Sequence, residues 1–119
     1  MTAPLKIALV IFEDIKRDSA RVYRALVTAE ELIESGDDVT VVFDGSGTES
    51  LAAVLDSESR LHTLFERVRP QVRGACKLCA RSHGVLDTIT EAGIPALSEY
   101  KQHASLAALV REGYTVLTF

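Results

Sequence analysis

The chain has 119 residues, a hydrophobic fraction of 47% and a formal net charge of -4. This length fits one domain, placed at residues 1–119, and the hydrophobic fraction suffices for a buried core. The negative charge argues against nucleic acid as the main partner, because phosphate binding requires a basic face. No apolar run reaches the roughly 18 residues of a membrane span, and no signal-peptide pattern opens the chain. We therefore expect a cytoplasmic protein without a membrane partner.

Five segments have the composition of strands. The first is apolar almost throughout rather than alternating, which is typical of a strand buried on both faces of a parallel sheet. The second and fifth are β-branched, whereas the third is weaker and the fourth weakest, since Pro95 cannot donate to a ladder. In chain order they are 5–12, 39–43, 71–75, 94–97 and 115–119.

Helical patterns separate these strands. Asp18 or Ser19 is the expected N-cap of the first helix, and Gly36 ends it. The segment Ser46-Gly47-Thr48-Glu49 fits a capping box ahead of the second. Three further apolar stripes follow, and they end at Pro70, Gly93 and Gly113.

The resulting order, βαβ(αα)βαβαβ, predicts an α/β, three-layer, flavodoxin-like domain with right-handed crossovers. We expect a parallel sheet of about five strands in the order 2-1-3-4-5. Sites in such sheets form beyond the carboxyl ends of the strands, where the strand order reverses. In this order the reversal lies between strands one and three.

Residues with substrate-binding chemistry follow the first three strands. Glu13 follows strand one, where it could orient a substrate or simply solvate a loop. Gly45 and Ser46 follow strand two, in a turn that lacks the third glycine of a dinucleotide fingerprint. Lys77 follows strand three and adds positive charge beside two cysteines. We predict these four residues as substrate contacts.

The pair Cys76-x-x-Cys79 carries the strongest chemical signal. Cys76 ends a strand and Cys79 falls in the first turn of the next helix, whose N-terminus favours a thiolate. One helical turn between the sulfurs permits a reversible disulfide. We predict both as catalytic residues, with Cys76 as the nucleophile. The alternatives are that the cysteines only pack as small hydrophobes, or that they form a thiol redox module.

A metal site is not expected from the sequence. Cys76, Cys79 and His83 supply at most three ligands, and a structural zinc usually requires four, arranged as two close pairs. No second Cys-x-x-Cys exists, and His103 is distant in sequence. We therefore predict no metal and no other cofactor. A basic cluster at Arg67, Arg69, Arg73, Lys77 and Arg81 is interpreted as solvated surface, so that nucleic acid remains an unlikely partner.

The stretch Val72-Arg73-Gly74-Ala75-Cys76-Lys77-Leu78-Cys79-Ala80-Arg81-Ser82-His83-Gly84-Val85 resembles the DsrE/DsrF-like family. Those proteins carry a cysteine at a strand end and a glycine eight positions later, as Cys76 and Gly84 do here. The opening Lys6-Ile7-Ala8-Leu9-Val10, the Asp44-Gly45 turn, the Gly93-Ile94-Pro95 step and the closing Gly113-Tyr114-Thr115-Val116 are similar too, so the resemblance spans almost the whole chain.

This resemblance implies a sulfur carrier or sulfurtransferase-like protein that holds a persulfide on Cys76. Cys79 matches a second cysteine present in only some members and could resolve the persulfide. The resemblance also implies sulfur donor and acceptor partners, either proteins or small sulfur compounds, and a homotrimer or homohexamer. Because some members have no known activity, the alternative is a non-catalytic oligomeric or regulatory domain.

Overall fold

The computed structural model describes residues 3–119, and its elements are numbered here in chain order. The strands are β1 (Lys6–Ile11), β2 (Asp38–Phe43), β3 (Val72–Cys76), β4 (Ala96–Leu97) and β5 (Thr115–Thr118). The helices are α1 (Ser19–Glu34), α2 (Gly47–Leu55), α3 (His62–Val68), α4 (Lys77–Ser82), α5 (Leu86–Glu91) and α6 (Leu106–Arg111). A short 3-10 turn, Arg69–Gln71, joins α3 to β3. Within residues 3–119, no helix is both long and apolar enough to cross a membrane.

The five strands form one parallel sheet with the order β4-β3-β2-β1-β5. The predicted fold class, a three-layer flavodoxin-like α/β domain with five parallel strands, is confirmed. The order follows the predicted 2-1-3-4-5 only in outline, because β1 keeps β2 as a neighbour but has β5 rather than β3 on its other side. The chain adds β2, β3 and β4 successively in one direction, and only β5 returns to the free edge of β1.

The two faces of the sheet carry unequal layers. Ile7, Leu9 and Ile11 of β1 face a large core built with α1, α2 and α3, whereas Ala8 and Val10 face a smaller one. Right-handed crossovers explain the difference, since steps in one direction place their helices on one face and the return places α6 on the other. The smaller core therefore depends on α6 and on the segment between β4 and α6.

The helix ends follow the predicted signals only in part. The Asp18 carboxylate caps α1 by accepting from the Arg21 amide at 3.1 Å. The capping box ahead of α2 does not form, because the Ser46 side chain makes no capping bond to any residue between 3 and 119. The Glu49 carboxylate instead pairs with His83 across the α2–α4 contact at 2.8 Å.

The reversal of strand order lies between β1 and β5, where the Phe12 amide donates to the Phe119 carbonyl at 2.8 Å. The expected reversal between the first and third strands is therefore displaced, since β2 separates them. The carboxyl ends of β1, β2 and β3 are nevertheless adjacent. The loops after these three strands consequently share one edge of the sheet, as a parallel arrangement requires.

Gly47 sits where α2 approaches the end of β1, and no side chain fits there. A Cβ on Gly47 would lie 1.9 Å from the Ile11 carbonyl oxygen, which is backbone and cannot turn aside. We expect Gly47→Ala to destabilise the fold by about 1–3 kcal/mol, the usual cost of overpacking. Urea unfolding measures this, with Ser46→Ala as the matched control. Equal midpoints for the two variants would contradict this close approach.

Candidate functional site

Cys76 ends β3 and is completely buried, with 0% of its surface exposed. Its side chain belongs to the smaller core, together with Val10, Val42 and Ala104. The register explains this position, because Cys76 pairs with Leu97 of β4 on one side. Val42 and Phe43 of β2 pair with Gly74 and Ala75 on the other side, so that the next residue of β2, Asp44, comes level with Cys76.

A histidine completes the cysteine pair. The Nδ1 atom of His103 lies 3.3 Å from the Cys76 sulfur and 4.0 Å from the Cys79 sulfur. The three atoms all lie within 4.8 Å of one another. Cys79 and His103 are half-buried, so the cluster is closed on the Cys76 side and reachable from the other. Three separate segments, β3, α4 and the loop after β4, thus contribute one ligating atom each.

A strained hairpin turn positions His103. The Tyr100 amide donates to the His103 carbonyl at 3.1 Å, and the His103 amide donates back at 2.7 Å. The two residues between them, Lys101 and Gln102, have φ of 49° and 64°, the pattern of a type I′ turn. That turn favours Asn and Gly, and an ordinary L-residue in the left-handed region costs about 1–2 kcal/mol.

Contacts with α4 hold this turn in place. The Leu78 amide donates to the Gln102 carbonyl at 3.0 Å, and the Arg81 guanidinium donates to the Gln102 side chain at 3.0 Å. Leu78 lies in the first turn of α4, the helix end that was expected to favour a Cys76 thiolate. The N-terminus of α4 therefore gives its Leu78 donor to the turn rather than to the Cys76 sulfur.

Asp44 and Gly45 flank the second thiol. The Asp44 carboxylate is buried, accepts from the Gly45 amide at 2.7 Å and lies 3.4 Å from the Cys79 sulfur, which donates to it. Burial, together with hydrogen bonds to Cys76 and Asp44, raises the pKa of Cys79 to about 12, although the Gly45 amide acts in the opposite direction. Cys79 is therefore a protonated thiol at neutral pH.

The structure brings some of the predicted substrate contacts to the cysteines and separates others. Gly45 lies at Cys79, and Lys77 begins α4 directly after Cys76. Ser46 precedes α2 beyond Gly45. Glu13 belongs elsewhere, since it lines a cleft at the β1–β5 edge with Phe12, Arg21, Thr118 and Phe119.

The basic cluster is largely neutralised by acidic partners. Arg67 pairs with Glu30, and Arg69 pairs with Glu66 at 3.0 Å. Arg73 forms a two-bond pair with Glu112, at 3.0 and 2.9 Å. This guanidinium holds the pKa of the Glu112 carboxyl below its usual range. Three of the five basic residues therefore serve intramolecular ion pairs, which does not favour a phosphate-binding face.

Sequence reasoning missed His103 and Asp44 as members of the site. Asp44 directly follows a buried strand, which is a usable signal, but only the next two residues, Gly45 and Ser46, are predicted as contacts. His103 gave no comparable signal, because the Lys-Gln pair before it does not indicate a type I′ turn. His83, which the sequence offered as the third ligand, instead pairs with Glu49.

Comparison with known proteins supports the fold and says little about the site. No family model matches the chain, and no curated protein matches it significantly. A solved structure of a conserved protein of unknown function from Bacteroides thetaiotaomicron is similar, with a TM-score of 0.67 and 16% identity over 94% of each chain. At this identity the likeness establishes a shared fold alone.

The raised pKa of Cys79 predicts a specific pH profile for alkylation. Because the folded-state pKa lies above that of a free thiol, the reactive thiolate is scarce at pH 7 and accumulates only as the pH rises towards about 12. Peptide mapping after iodoacetamide pulses across pH measures this rate. Asp44→Asn replaces a carboxylate, which only accepts, by an amide that can also donate to the thiolate, so its profile should move to lower pH. A wild-type midpoint near 8.5, the value of a free thiol, would contradict a raised pKa at Cys79.

The left-handed turn predicts that Asn stabilises the protein at position 101. Lys101→Asn should raise the free energy of unfolding by about 0.5–1 kcal/mol, because Asn tolerates the left-handed region better than Lys. Lys101→Ala is the control, since it also removes the contact of the ammonium with the Tyr100 ring but keeps the strain. Equal stabilities of the Asn and Ala variants in denaturant titrations would argue against a left-handed residue here.

Proposed function

We propose that this chain is a sulfur carrier of sulfurtransferase type, with the transferred sulfur held as a persulfide on Cys76. The observation that carries the proposal is the contact of 3.3 Å between the Cys76 sulfur and His103, with a second thiol beside them. A thiol within reach of an imidazole is the arrangement of an activated cysteine nucleophile. The resemblance of residues 72–85 to the DsrE/DsrF-like family supports the same chemistry.

The transfer would begin with His103 accepting the Cys76 proton on Nδ1, which leaves a thiolate beside an imidazolium. The thiolate attacks the outer sulfur of a persulfide or of thiosulfate. The S–S bond of the donor breaks, and a thiolate or sulfite leaves with the bonding electrons. No external oxidant is consumed, because the sulfane sulfur changes only its partner.

Cys79 would resolve the persulfide. After losing its proton, its sulfur attacks the Cys76 sulfur, a Cys76–Cys79 disulfide forms and hydrosulfide leaves. A dithiol reductant then returns the disulfide to two thiols. The raised pKa of Cys79 fits this order of events, since a thiol that stays protonated does not compete with Cys76 for the donor. Sulfur donors and acceptors, a cytoplasmic location and assembly into trimers or hexamers belong to the same proposal.

Burial of Cys76 favours a second candidate, a packing role in a non-catalytic domain. A side chain with no exposed surface among Val10, Val42 and Ala104 behaves as a small hydrophobe. Under sulfur transfer, the residues that cover Cys76 must move before a donor can reach it, because none of its surface is exposed. The two candidates therefore differ in whether a donor ever reaches the buried sulfur.

Intact mass spectrometry after incubation of the reduced protein with thiosulfate or polysulfide separates the candidates. Sulfur transfer predicts a gain of about one sulfur that reductant removes, a reversible cysteine modification. Cys76→Ser should abolish the gain, whereas Cys79→Ser should still load but release sulfur slowly without added thiol. Loading of Cys76→Ser on Cys79 would show that the nucleophile is misassigned.

The packing candidate predicts no loading of the wild-type protein. It predicts instead that each serine variant loses about 1–3 kcal/mol of stability if the new hydroxyl finds no partner. Thermal melts of the two variants, recorded beside their mass spectra, therefore decide between sulfur transfer and packing. Loss of stability without loading in any variant would end the sulfur-carrier proposal.

A further inference from the structure

We propose that Cys76, Cys79 and His103 form a binding site for one Zn²⁺ ion per chain. This proposal departs from the expectation that the protein binds no metal, which set His103 aside as distant in sequence. It goes beyond the sulfur-carrier proposal and does not depend on it, since metal binding requires no sulfur donor. The Cys76-x-x-Cys79 pair supplies two ligating atoms, and His103, 24 residues beyond Cys79, brings the third to the same place.

The distances fit a tetrahedral ion. Zinc binds thiolate sulfur at about 2.3 Å and imidazole nitrogen at about 2.0–2.1 Å, which places neighbouring ligands of a tetrahedron about 3.6–3.8 Å apart. The observed separations of Nδ1 from the two sulfurs, 3.3 and 4.0 Å, lie on either side of this spacing. All three atoms lie within 4.8 Å of one another, so sub-ångström side-chain shifts would bring each to bonding distance.

The donor set selects the class of metal. Two thiolates and one imidazole suit Zn²⁺ far better than Mg²⁺ or Ca²⁺, which prefer oxygen ligands. The Asp44 carboxylate lies 3.4 Å from the Cys79 sulfur, next to the cluster but not within it. Binding deprotonates both thiols, and the protons pass to solvent. The charges of the ion and the two thiolates then cancel.

Access and preorganisation agree with this site. Cys79 and His103 are half-buried, so an ion can enter from solvent past them, while Cys76 closes the inner side. His103 is held there by a turn whose two central residues are left-handed without being Gly or Asn. Backbone strain of this kind persists where the surroundings fix a functional geometry. The hydrogen bond from the Leu78 amide to the Gln102 carbonyl holds the turn in this geometry.

Cobalt titration of the reduced, full-length protein tests the proposal, because Co²⁺ reports the geometry of a zinc site by its absorption. We expect one equivalent to give a thiolate-to-cobalt charge-transfer band and intense tetrahedral d–d bands, both abolished by adding one equivalent of Zn²⁺. His103→Gln should weaken Zn²⁺ binding at least about tenfold in a chelator competition, as loss of a ligand requires. His83→Gln is the matched control and should bind within about twofold of wild type.

Two results would overturn the proposal: a weak, octahedral cobalt spectrum, or equal loss of affinity in the two histidine variants. Melting curves of the metal-free His103→Gln protein establish that it folds. If it does not, Cys79→Ser replaces it in the competition, with the same expectation of at least about tenfold weaker binding. The metal titration contains no sulfur donor, so the two proposals are tested separately. A protein that binds Zn²⁺ but never loads sulfur would contradict only the sulfur-carrier proposal. A protein that loads sulfur but does not bind Zn²⁺ would contradict only the zinc proposal.

Discussion

The handedness of the crossovers decides where the chemistry of this protein can lie. Three successive right-handed steps, from β1 to β4, place their helices against one face of the sheet. The other face is covered by α6, by the segment that precedes it and by Leu78 and Cys79 of α4. Cys76 points into this thinner layer. Its environment is therefore made by a loop, rather than by the long helices that cover the larger core.

The loop that packs over the buried Cys76 is held in place by hydrogen bonds. The Tyr100–His103 turn is closed by two backbone bonds and tied to α4 through the Leu78 amide. These contacts offset the conformational cost of two left-handed residues, Lys101 and Gln102. The same contacts bring the His103 imidazole to the Cys76 sulfur. The hydrogen bonds that hold the turn over the smaller core therefore also position His103.

The two thiols of the cluster lie in environments that affect their reactivity differently. Burial and hydrogen bonding keep Cys79 protonated, and the resulting high pKa disfavours attack by this thiol at neutral pH. The Nδ1 atom of the neighbouring His103 lies 3.3 Å from the Cys76 sulfur, within hydrogen-bonding reach of its proton. In the sulfur-carrier proposal, this difference between Cys76 and Cys79 separates the nucleophile from the resolving thiol. A metal ion would remove it, because both sulfurs would then be bound as thiolates.

The amino-acid sequence determined the fold class and the cysteine pair. Apolar runs such as residues 5–12 identify strands buried on both faces, and capping by Asp18 is a local interaction that sequence spacing reveals. The strand order could not be predicted as well from the sequence. The predicted order, 2-1-3-4-5, and the observed order use the same strands and helices, and they differ only in how these elements pack together.

The tertiary structure alone decided the composition of the site. Asp44 comes level with Cys76 through the register between β2 and β3, which is a property of strand pairing rather than of either segment. His103 reaches the thiols through a left-handed turn formed by Lys101 and Gln102, residues that do not favour that conformation by themselves. The turn forms because tertiary contacts to α4 outweigh the conformational free energy of its two left-handed residues. Such a balance cannot be predicted from a short stretch of sequence.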